Sequence, residues 1–229
     1  WMNSRPVEGR WFLTNPIPPE EDLIEQDERI RSIIRQLFLR YGVLFRQLLE
    51  RETEELSWNA VFPTLRLMEL SGECVAGYFF EEIRGIQFAG WEALRELKEP
   101  MDEESLYWMN CTDPASLSGI KIDALKGNYP TRIPGNHMVF RGDSPLLFSR
   151  RNGKDLDFFT EPGEPEALKA LEFFRTLLSR ECSPLKSIRV ETVNGQPVSE
   201  SPYRDVLKQA GFRDNYKTFI LSGIVNSQL

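Results

Sequence analysis

The chain has 229 residues, of which 41% are hydrophobic and 11% aromatic, which excludes wholesale disorder and allows one large domain or two small ones. No apolar run reaches the roughly 20 residues that span a bilayer, and the N-terminal residues lack the apolar core of a secretion signal. The three cysteines are widely spaced without a C-x-x-C pair, which argues against disulfides and a zinc site. We therefore predict a cytoplasmic protein with reduced thiols, no membrane partner and no metal site. Since it opens on Trp1, we expect a piece of a longer chain.

The net charge of −7 weighs against a nucleic-acid binder, because phosphate contacts need cations. The charge is unevenly distributed, however. Residues 1–119 carry 12 Lys and Arg against 22 Asp and Glu, whereas residues 120–229 carry 16 against 13. Every cation between Asp27 and Gly90 is an arginine. Arginine suits bidentate or stacked contacts with a nucleic acid, and salt bridges to the abundant glutamates explain the pattern equally well.

Residues 1–26 are predicted to be an introductory segment, since three prolines break any regular element before an acidic run at residues 20–22. From Asp27 the apolar residues follow helical spacing. They are Ile30, Ile33, Ile34, Leu37, Phe38 and Tyr41. Gly42 then ends this pattern. A second and shorter apolar stripe follows, which consists of Leu44, Phe45, Leu48 and Leu49.

A third helix is predicted to open at Ser57, which is a plausible N-cap. Its inward face consists of Trp58, Val61, Phe62, Leu65 and Met68. Asn59, Thr64 and Arg66 are left for the outer face. A proline inside a helix costs about 3 kcal/mol, so either the helix kinks at Pro63 or it starts near that residue.

Two short apolar strands, Cys74–Phe80 and Ile83–Phe88, are predicted after the third helix, with two glutamates near their turn. A short helix over Trp91–Leu97 comes next. Three helices closed by a hairpin predict a winged helix over residues 27–98, a fold that usually presents its third helix to a nucleic-acid groove. The polar and acidic residues 99–105 are predicted to be a linker.

Residues 106–229 are predicted to form a mixed α+β domain with a curled, barrel-like sheet, so the fold class is α+β throughout. The predicted strands are 106–109, 138–141, 145–150, 156–159, 188–193 and 219–221, and the predicted helices are 166–180 and 201–211. Asn152-Gly153 and Asn194-Gly195 are turn signals, and Gly211 is a predicted helix C-cap.

Four segments together resemble the C-terminal region of large helicase-related (Lhr-type) superfamily 2 DEAD/DEAH helicases. They are ERIRSIIRQLFLRYGVLFRQLLERE, SWNAVFPTLRLMELSGECVAGYFFEEIRGIQFA, LYWMNCTDPASLSGI and VNGQPVSESPYRDVLKQAGF. The resemblance covers roughly Arg10 to Phe212. It implies a parent ATP-dependent helicase that acts in DNA repair, with ATP and magnesium as the cofactors of its motor. This chain has no P-loop, so no cofactor is expected in it and the missing motor domains are an expected partner.

The resemblance favours an accessory module that binds single-stranded or forked DNA. Candidate contacts on the winged helix are Asn59, Thr64, Arg66, Arg84 and Gln87, and those in the second half are Arg150, Arg151, Lys154, Arg204 and Lys208. The arginines and lysines among these residues can bind the phosphates of a nucleic-acid backbone. A solvated surface is the alternative explanation for each of them.

The sequence also allows two other functions. Extended family members resemble winged-helix DNA glycosylases, which would need a carboxylate to activate water. Asp113, Asp205 and Asp214 are candidate acids, or are turn and surface aspartates, and the Q-x-Q or Q-x-D motif of those enzymes is absent. The acidic first half also allows a module for protein interaction or homo-oligomerisation. His137 is the sole histidine and lacks the surroundings of a catalytic base.

Overall fold

The computed structural model describes residues 22–99, 102–122 and 129–223, and most of the predicted introductory segment lies outside them. The first half is a winged helix. Its elements are α1 (Leu23–Tyr41), β1 (Val43–Leu44), α2 (Arg46–Leu49), α3 (Trp58–Leu70), β2 (Cys74–Gly77), β3 (Gln87–Gly90) and α4 (Trp91–Glu96), with a 3-10 turn at Glu54–Leu56. The three strands form an antiparallel sheet in the order β1-β3-β2. The predicted winged-helix fold is therefore present.

Helix α1 begins four residues earlier than the sequence predicted, because the acidic run supplies a complete cap. Asp22 Oδ1 accepts hydrogen bonds from the backbone N–H groups of Ile24 and Glu25, at 2.9 and 2.8 Å. Glu25 reaches back to the Asp22 N–H at 3.4 Å. This reciprocal capping box satisfies donors that would otherwise be free at the first turn.

The second predicted stripe is divided between a strand and a single helical turn. Val43 and Leu44 pair with Ala89 and Phe88 of β3, so they form a strand and not the start of a helix. Both residues are buried, and pairing leaves only four residues for α2. A two-residue strand is too short to give a periodic signal, which explains the difference.

Helix α3 runs without interruption through Pro63. The helix lacks one backbone hydrogen bond there, since proline has no N–H to donate to the carbonyl of Asn59. Ser57 stands at the N-cap position as predicted, but its hydroxyl makes no capping hydrogen bond. The predicted outward position of Thr64 is wrong, because this residue is buried against α1.

One hydrophobic core serves the whole winged helix. Its buried members are Ile34, Leu37, Val43, Leu44, Phe45, Leu48, Leu49, Val61, Leu65, Met68, Cys74, Ile83, Phe88, Ala89 and Ile120. Trp58 packs on this cluster with ring-centroid distances of 5.5 Å to Phe62 and 6.1 Å to Phe88, which confirms its predicted inward position. Ile120 comes from beyond the predicted linker, so the second half contributes to the core of the first.

The second half contains two sheets, neither of which closes into a barrel. Its strands are β4 (Leu106–Asn110), β5 (His137–Arg141), β6 (Ser144–Arg150), β7 (Asp155–Phe158), β8 (Ser187–Val190), β9 (Thr192–Val193), β10 (Gln196–Pro197), β11 (Arg213–Asn215) and β12 (Thr218–Ser222). The larger sheet has the order β10-β9-β7-β6-β5-β4 and the smaller one β11-β12-β8. Among the strands that the structure describes, the β7–β9 pair alone is parallel. The mixed α+β class is confirmed, whereas the barrel-like description is not.

The helices described in this half contribute to one buried cluster together with strands of both sheets. They are α5 (Pro165–Lys169), α6 (Phe173–Ser179) and α7 (Arg204–Gln209). The single helix predicted over residues 166–180 is thus two segments, joined by a stretch in which backbone N–H groups bond three residues back. The strand predicted over 188–193 also divides at Glu191, and its two parts belong to different sheets.

Two arginines hold the loop at residues 111–118 between the two halves. Arg51 donates to the carbonyl oxygens of Ser116 at 2.6 Å and of Pro114 at 3.3 Å. From the other side, Arg132 donates to the carbonyl oxygens of Thr112 at 2.9 Å and of Asp113 at 3.0 Å. We call this arrangement the arginine clasp. It ties the loop to the winged helix.

We expect Arg51→Ala to lower the free energy of unfolding by about 2 kcal/mol, since hydrogen bonds to charged groups contribute roughly 1.5–3 kcal/mol each. Urea unfolding followed by circular dichroism gives this quantity. Arg46→Ala is the matched control, because Arg46 is exposed on the neighbouring α2. Equal stability of the two variants would contradict a structural role for the clasp.

No described helix combines the length and apolar character needed to cross a bilayer. Within the described ranges, no group of three or more His, Cys, Asp and Glu side chains is placed to hold a metal ion. The three cysteines are free, with Cys74 and Cys111 buried and Cys182 exposed. Burial raises the pKa of the Cys74 thiol to about 11, so this group stays protonated at neutral pH.

Candidate nucleic-acid interface

The outer face of α3 carries little charge. Asn59 and Arg66 are exposed there as predicted, but Arg66 forms an ion pair with Glu69 one turn later. Two large apolar side chains share the exposed surface, Leu67 at 50% and Leu70 at 79% exposure. A helix that reads a groove needs donors and cations, so this face offers a nucleic acid few contacts.

The arginine-only pattern of the first half is explained largely by ion pairs. Arg31 and Arg35 both bind the carboxylate of Glu73, at 3.0 and 2.7 Å. These pairs tie α1 to the turn before β2, and hydrogen bonding from Arg35 holds the pKa of Glu73 below its usual value. Arg40 pairs in the same way with Glu52 at 3.1 Å. The salt-bridge explanation therefore applies to these residues.

Thr64 and Gln87 are buried, so neither is available as a surface contact. The Thr64 hydroxyl donates to Asp27 Oδ1 at 2.8 Å and joins α3 to α1. Gln87 is fully buried at the start of β3 and holds the wing loop at residues 78–86. Its Oε1 accepts from the N–H groups of Phe79 and Phe80, at 3.0 and 2.9 Å. Its Nε2 donates to the carbonyl oxygens of Phe80 and Ile83, at 2.9 and 3.1 Å.

The full use of one amide explains why the strands of the wing are shorter than predicted. Gln87 has two donors and two acceptor sites, and all four are engaged. The backbone groups that a longer hairpin would pair with each other bond instead to this side chain. Residues 78–86 therefore form an ordered loop and do not extend the hydrogen-bonded pairing of β2 with β3.

Arg84 projects from this wing and is exposed. Among the described residues it has no carboxylate partner, unlike the paired arginines of α1 and α3. Glu81 and Glu82 are exposed in the same loop and reduce the local positive charge. Of the five candidates on the winged helix, Arg84 is the cation that the structure leaves most available for a phosphate.

The predicted cluster around the β6–β7 hairpin is neutralised. Arg150 pairs with Asp157, Arg151 binds both carboxylate oxygens of Asp155, and Lys154 lies 3.2 Å from Glu191. Hydrogen bonding from Arg151 holds the pKa of Asp155 below its usual value. The hairpin turn itself is confirmed, with positive φ angles at Arg151, Asn152 and Gly153. Phosphate binding would have to compete with a carboxylate at each of these three cations.

The second predicted cluster is paired in the same way. Arg204 lies 3.0 Å from Asp214, and Lys208 lies 3.4 Å from Asp205. Two of the candidate catalytic acids are therefore salt-bridge partners at the surface. The third, Asp113, is also exposed, and its Oδ1 accepts from the Ala115 N–H at 2.8 Å in a turn. None of the three has the surroundings of a buried catalytic carboxyl.

The smaller sheet brings together two cations that the sequence did not pair. Arg213 and Arg189 are both exposed and stand opposite Ile220 on its two neighbouring strands, so they share one face. In the part of the chain that the structure describes, no carboxylate pairs with either one. The alternation of buried and exposed residues in β8 was the available signal, but it could not show which strands are neighbours.

His137 lies in the core of the larger sheet, where it cannot act as an exposed base. It is 3% exposed, and burial lowers its pKa to about 4. The Asn110 amide fixes its tautomer. Asn110 Oδ1 accepts from the N–H and hydroxyl of Thr112, so its Nδ2 faces His137 Nε2 at 3.0 Å and donates to it. The proton of the neutral ring is therefore on Nδ1.

Comparison with known proteins agrees with the α1-to-β4 architecture. Residues 24–109 match the family model described as the winged-helix domain of the large helicase-related protein. This segment is therefore similar to a large helicase-related winged-helix domain in sequence as well as in the order of its elements. The match begins at the second residue of α1 and extends through α4 into β4, beyond the predicted end of the domain at residue 98.

A second similarity extends past this segment. The chain is 28% identical over 219 residues to the protein named Lhr helicase/uracil glycosylase of Escherichia coli (strain K12). The aligned region is 92% of this chain and 14% of that relative. The chain therefore spans about one seventh of the length of this relative.

Proposed function

We propose that this chain is an accessory region of an ATP-dependent DNA helicase, through which the parent protein engages single-stranded or forked DNA during repair. The observation that carries the proposal is a complete α3-and-wing unit similar to the large helicase-related type, on which Arg84 has no carboxylate partner among the described residues. By resemblance, ATP and magnesium belong to motor domains outside this chain. A cytoplasmic location is part of the same proposal.

The geometry indicates a weak contact made mainly by the wing. Arg84 supplies a phosphate contact, and Asn59 offers a hydrogen bond from the outer face of α3. Arg66 must leave Glu69 before it can bind a phosphate, so it contributes less than a free arginine. Each phosphate that the protein neutralises on duplex DNA adds about 0.9 to the slope with which the logarithm of the affinity falls against the logarithm of the salt concentration. We therefore expect a shallow slope of about 1–3 for the winged helix alone.

We expect Arg84→Ala to weaken binding of forked DNA several-fold and to reduce the salt slope by roughly one. Fluorescence anisotropy with labelled single-stranded and forked DNA across a salt series measures both quantities. Arg95→Ala is the control, since it removes the same charge from α4, where Arg95 is exposed and pairs with Glu92 at 3.6 Å.

Unchanged affinity in Arg84→Ala would contradict the wing contact. Absence of binding to either DNA at low salt would contradict the proposal as a whole. It would favour the alternative of a protein-interaction or oligomerisation module, for which the exposed Leu67 and Leu70 of α3 are the specific observation.

The name of the relative includes a uracil glycosylase, but the described geometry does not favour that activity for this chain. Asp113, Asp205 and Asp214 are exposed, and each is already engaged in a turn or a salt bridge. A base-flipping enzyme needs a pocket that excludes water around its reacting group. Nucleic-acid engagement without chemistry is therefore the function that we propose.

A further inference from the structure

A cavity of about 520 Å³ lies in the second half, between the edge strand β4 and the junction of α5 with α6. Its floor is apolar and buried, and its rim is exposed. The residues on which the inference depends are Trp108, Phe173, Lys169, Arg175, Thr176 and Gln209. None of the predicted contact residues belongs to this cavity, and none of the hypotheses from the sequence used it.

The indole of Trp108 forms an aromatic wall of the cavity. Trp108 is 38% exposed, although it stands in the middle of a strand. Its ring lies 5.6 Å from that of the buried Phe173 and 6.0 Å from that of His137, measured between centroids. The two buried rings fix the indole, while its free surface faces the cavity. A fixed and partly exposed indole is a surface on which a planar group can stack.

Two cations line the same cavity without a carboxylate partner among the described residues. Lys169 ends α5 and Arg175 lies in α6, and both are exposed. Glu172 also lines the cavity, so the charge of its rim is +1. The arginines of the β6–β7 hairpin differ, since each binds an aspartate. The cavity therefore combines positive charge available for an anion with an aromatic surface.

We propose that this cavity holds one unpaired nucleotide of single-stranded DNA, with the base stacked on Trp108 and the adjacent phosphate bound by Lys169 and Arg175. Thr176 and Gln209 offer hydrogen bonds to the base or sugar. This inference rests on the proposed function and adds to it a second contact in the sheet domain, away from the wing. Because every base has a π-face, the site accepts DNA of any sequence.

A nucleotide fits these observations better than an extended peptide added to the open edge of β4. Peptide addition uses backbone groups of the strand and does not require Lys169 or Arg175. A nucleotide uses the ring and both cations together. The observed combination of stacking surface and positive charge is the one found in proteins that bind single strands without sequence preference.

The test compares two oligonucleotides of equal length and charge, oligo(dT) and a strand whose central residues are abasic. We expect Trp108→Ala to weaken oligo(dT) binding by roughly tenfold, which is the usual size of a single base-stacking contact. Binding of the abasic strand should change less than twofold. Trp108→Phe should restore most of the affinity, because it keeps an aromatic ring. Trp91→Ala is the matched control, since Trp91 is 53% exposed on the winged helix.

The charges are tested separately with the double variant Lys169→Ala/Arg175→Ala, whose side chains lie on the surface and outside the core. We expect its salt slope for oligo(dT) to fall by about 1.4, which corresponds to two phosphate contacts on a single strand. This variant keeps the inference testable even if Trp108→Ala fails to fold. An unchanged slope would overturn the phosphate contacts.

The outcomes separate this inference from the proposed function. If wild-type chain binds DNA and Arg84→Ala weakens that binding while Trp108→Ala does not, the cavity inference fails and the proposed function stands. Equal losses on oligo(dT) and on the abasic strand would also overturn stacking. If wild-type chain binds neither strand at low salt, both fail. If Trp108→Ala loses affinity for oligo(dT) and keeps its affinity for the abasic strand, the result supports the inference.

Discussion

Replacement of Gln87 by alanine is expected to lower the free energy of unfolding by about 3 kcal/mol, the largest effect of any single polar substitution that we propose. The substitution removes four hydrogen bonds between one buried amide and the wing backbone. Unsatisfied buried groups cost roughly 1–3 kcal/mol each, although the wing can relax and recover part of this by hydration. Urea unfolding monitored by circular dichroism gives the change.

Gln36→Ala provides the control for this substitution, because Gln36 is exposed in the middle of α1. Alanine is the best helix former, so that variant should be as stable as the wild-type chain. Gln87→Ala should also increase amide hydrogen exchange at residues 78–86, since the backbone groups held by the amide become accessible. A loss of stability below about 1 kcal/mol would show that the wing does not depend on Gln87.

The second large effect concerns pH and the buried imidazole of His137. Burial, with a smaller contribution from the positive charge of Arg180, lowers its pKa to about 4, whereas an exposed histidine has a pKa of 6.5. Between these values the unfolded chain binds a proton that the folded chain does not. Stability is therefore fully present above pH 6.5 and falls as the pH drops toward 4. The full loss is about 3 kcal/mol, of which about 2 kcal/mol is expected by pH 5.

Urea unfolding at pH 7, 6 and 5 measures this dependence. His137 is the sole histidine, so no other imidazole titrates in this range. Glu73 and Asp155 also have a lowered pKa, and their contribution to stability is present above the pKa of an unfolded carboxyl and is lost below it. Their effect on the pH dependence of stability therefore falls mainly below pH 5. His137→Gln should remove most of the slope between pH 7 and 5, and a wild-type stability that does not change over this range would refute the assignment.

Features of the fold that depend on residues close together in the sequence could be predicted. The spacing of Ile30, Ile34 and Leu37 gave α1, and Asn194-Gly195 gave a two-residue turn with positive φ at both positions. Gly211 was predicted as a helix end and has a φ of +97°. Features that depend on a partner distant in sequence could not be predicted. β1 exists because Val43 and Leu44 meet β3, and the two sheets are separated by a break at one residue.

The same distinction applies to the candidate interface. Exposure of Asn59, Arg66 and Arg84 followed from helical spacing and the position of the wing. The ion pairs of the candidate cations in the second half could not be predicted in this way. Lys154, for example, meets Glu191 only after the chain has folded. Gln87 was misjudged for a similar reason, since nothing in its local sequence shows that a loop would fold around its amide.

The position of β4 in its sheet has a consequence for synthesis in the cell. β4 is the first strand of the larger sheet to leave the ribosome, and its register partner for Leu106 is Arg141, which follows by 35 positions. At about 5–20 residues per second, the nascent strand has no partner for roughly 2–7 s after it emerges. During that time Leu106, Tyr107 and Trp108 are unpaired, and at its start the core of the winged helix still lacks Ile120. We expect the three unpaired residues to bind chaperones or to associate between nascent chains, so slower translation of residues 111–136 should lower the yield of folded protein.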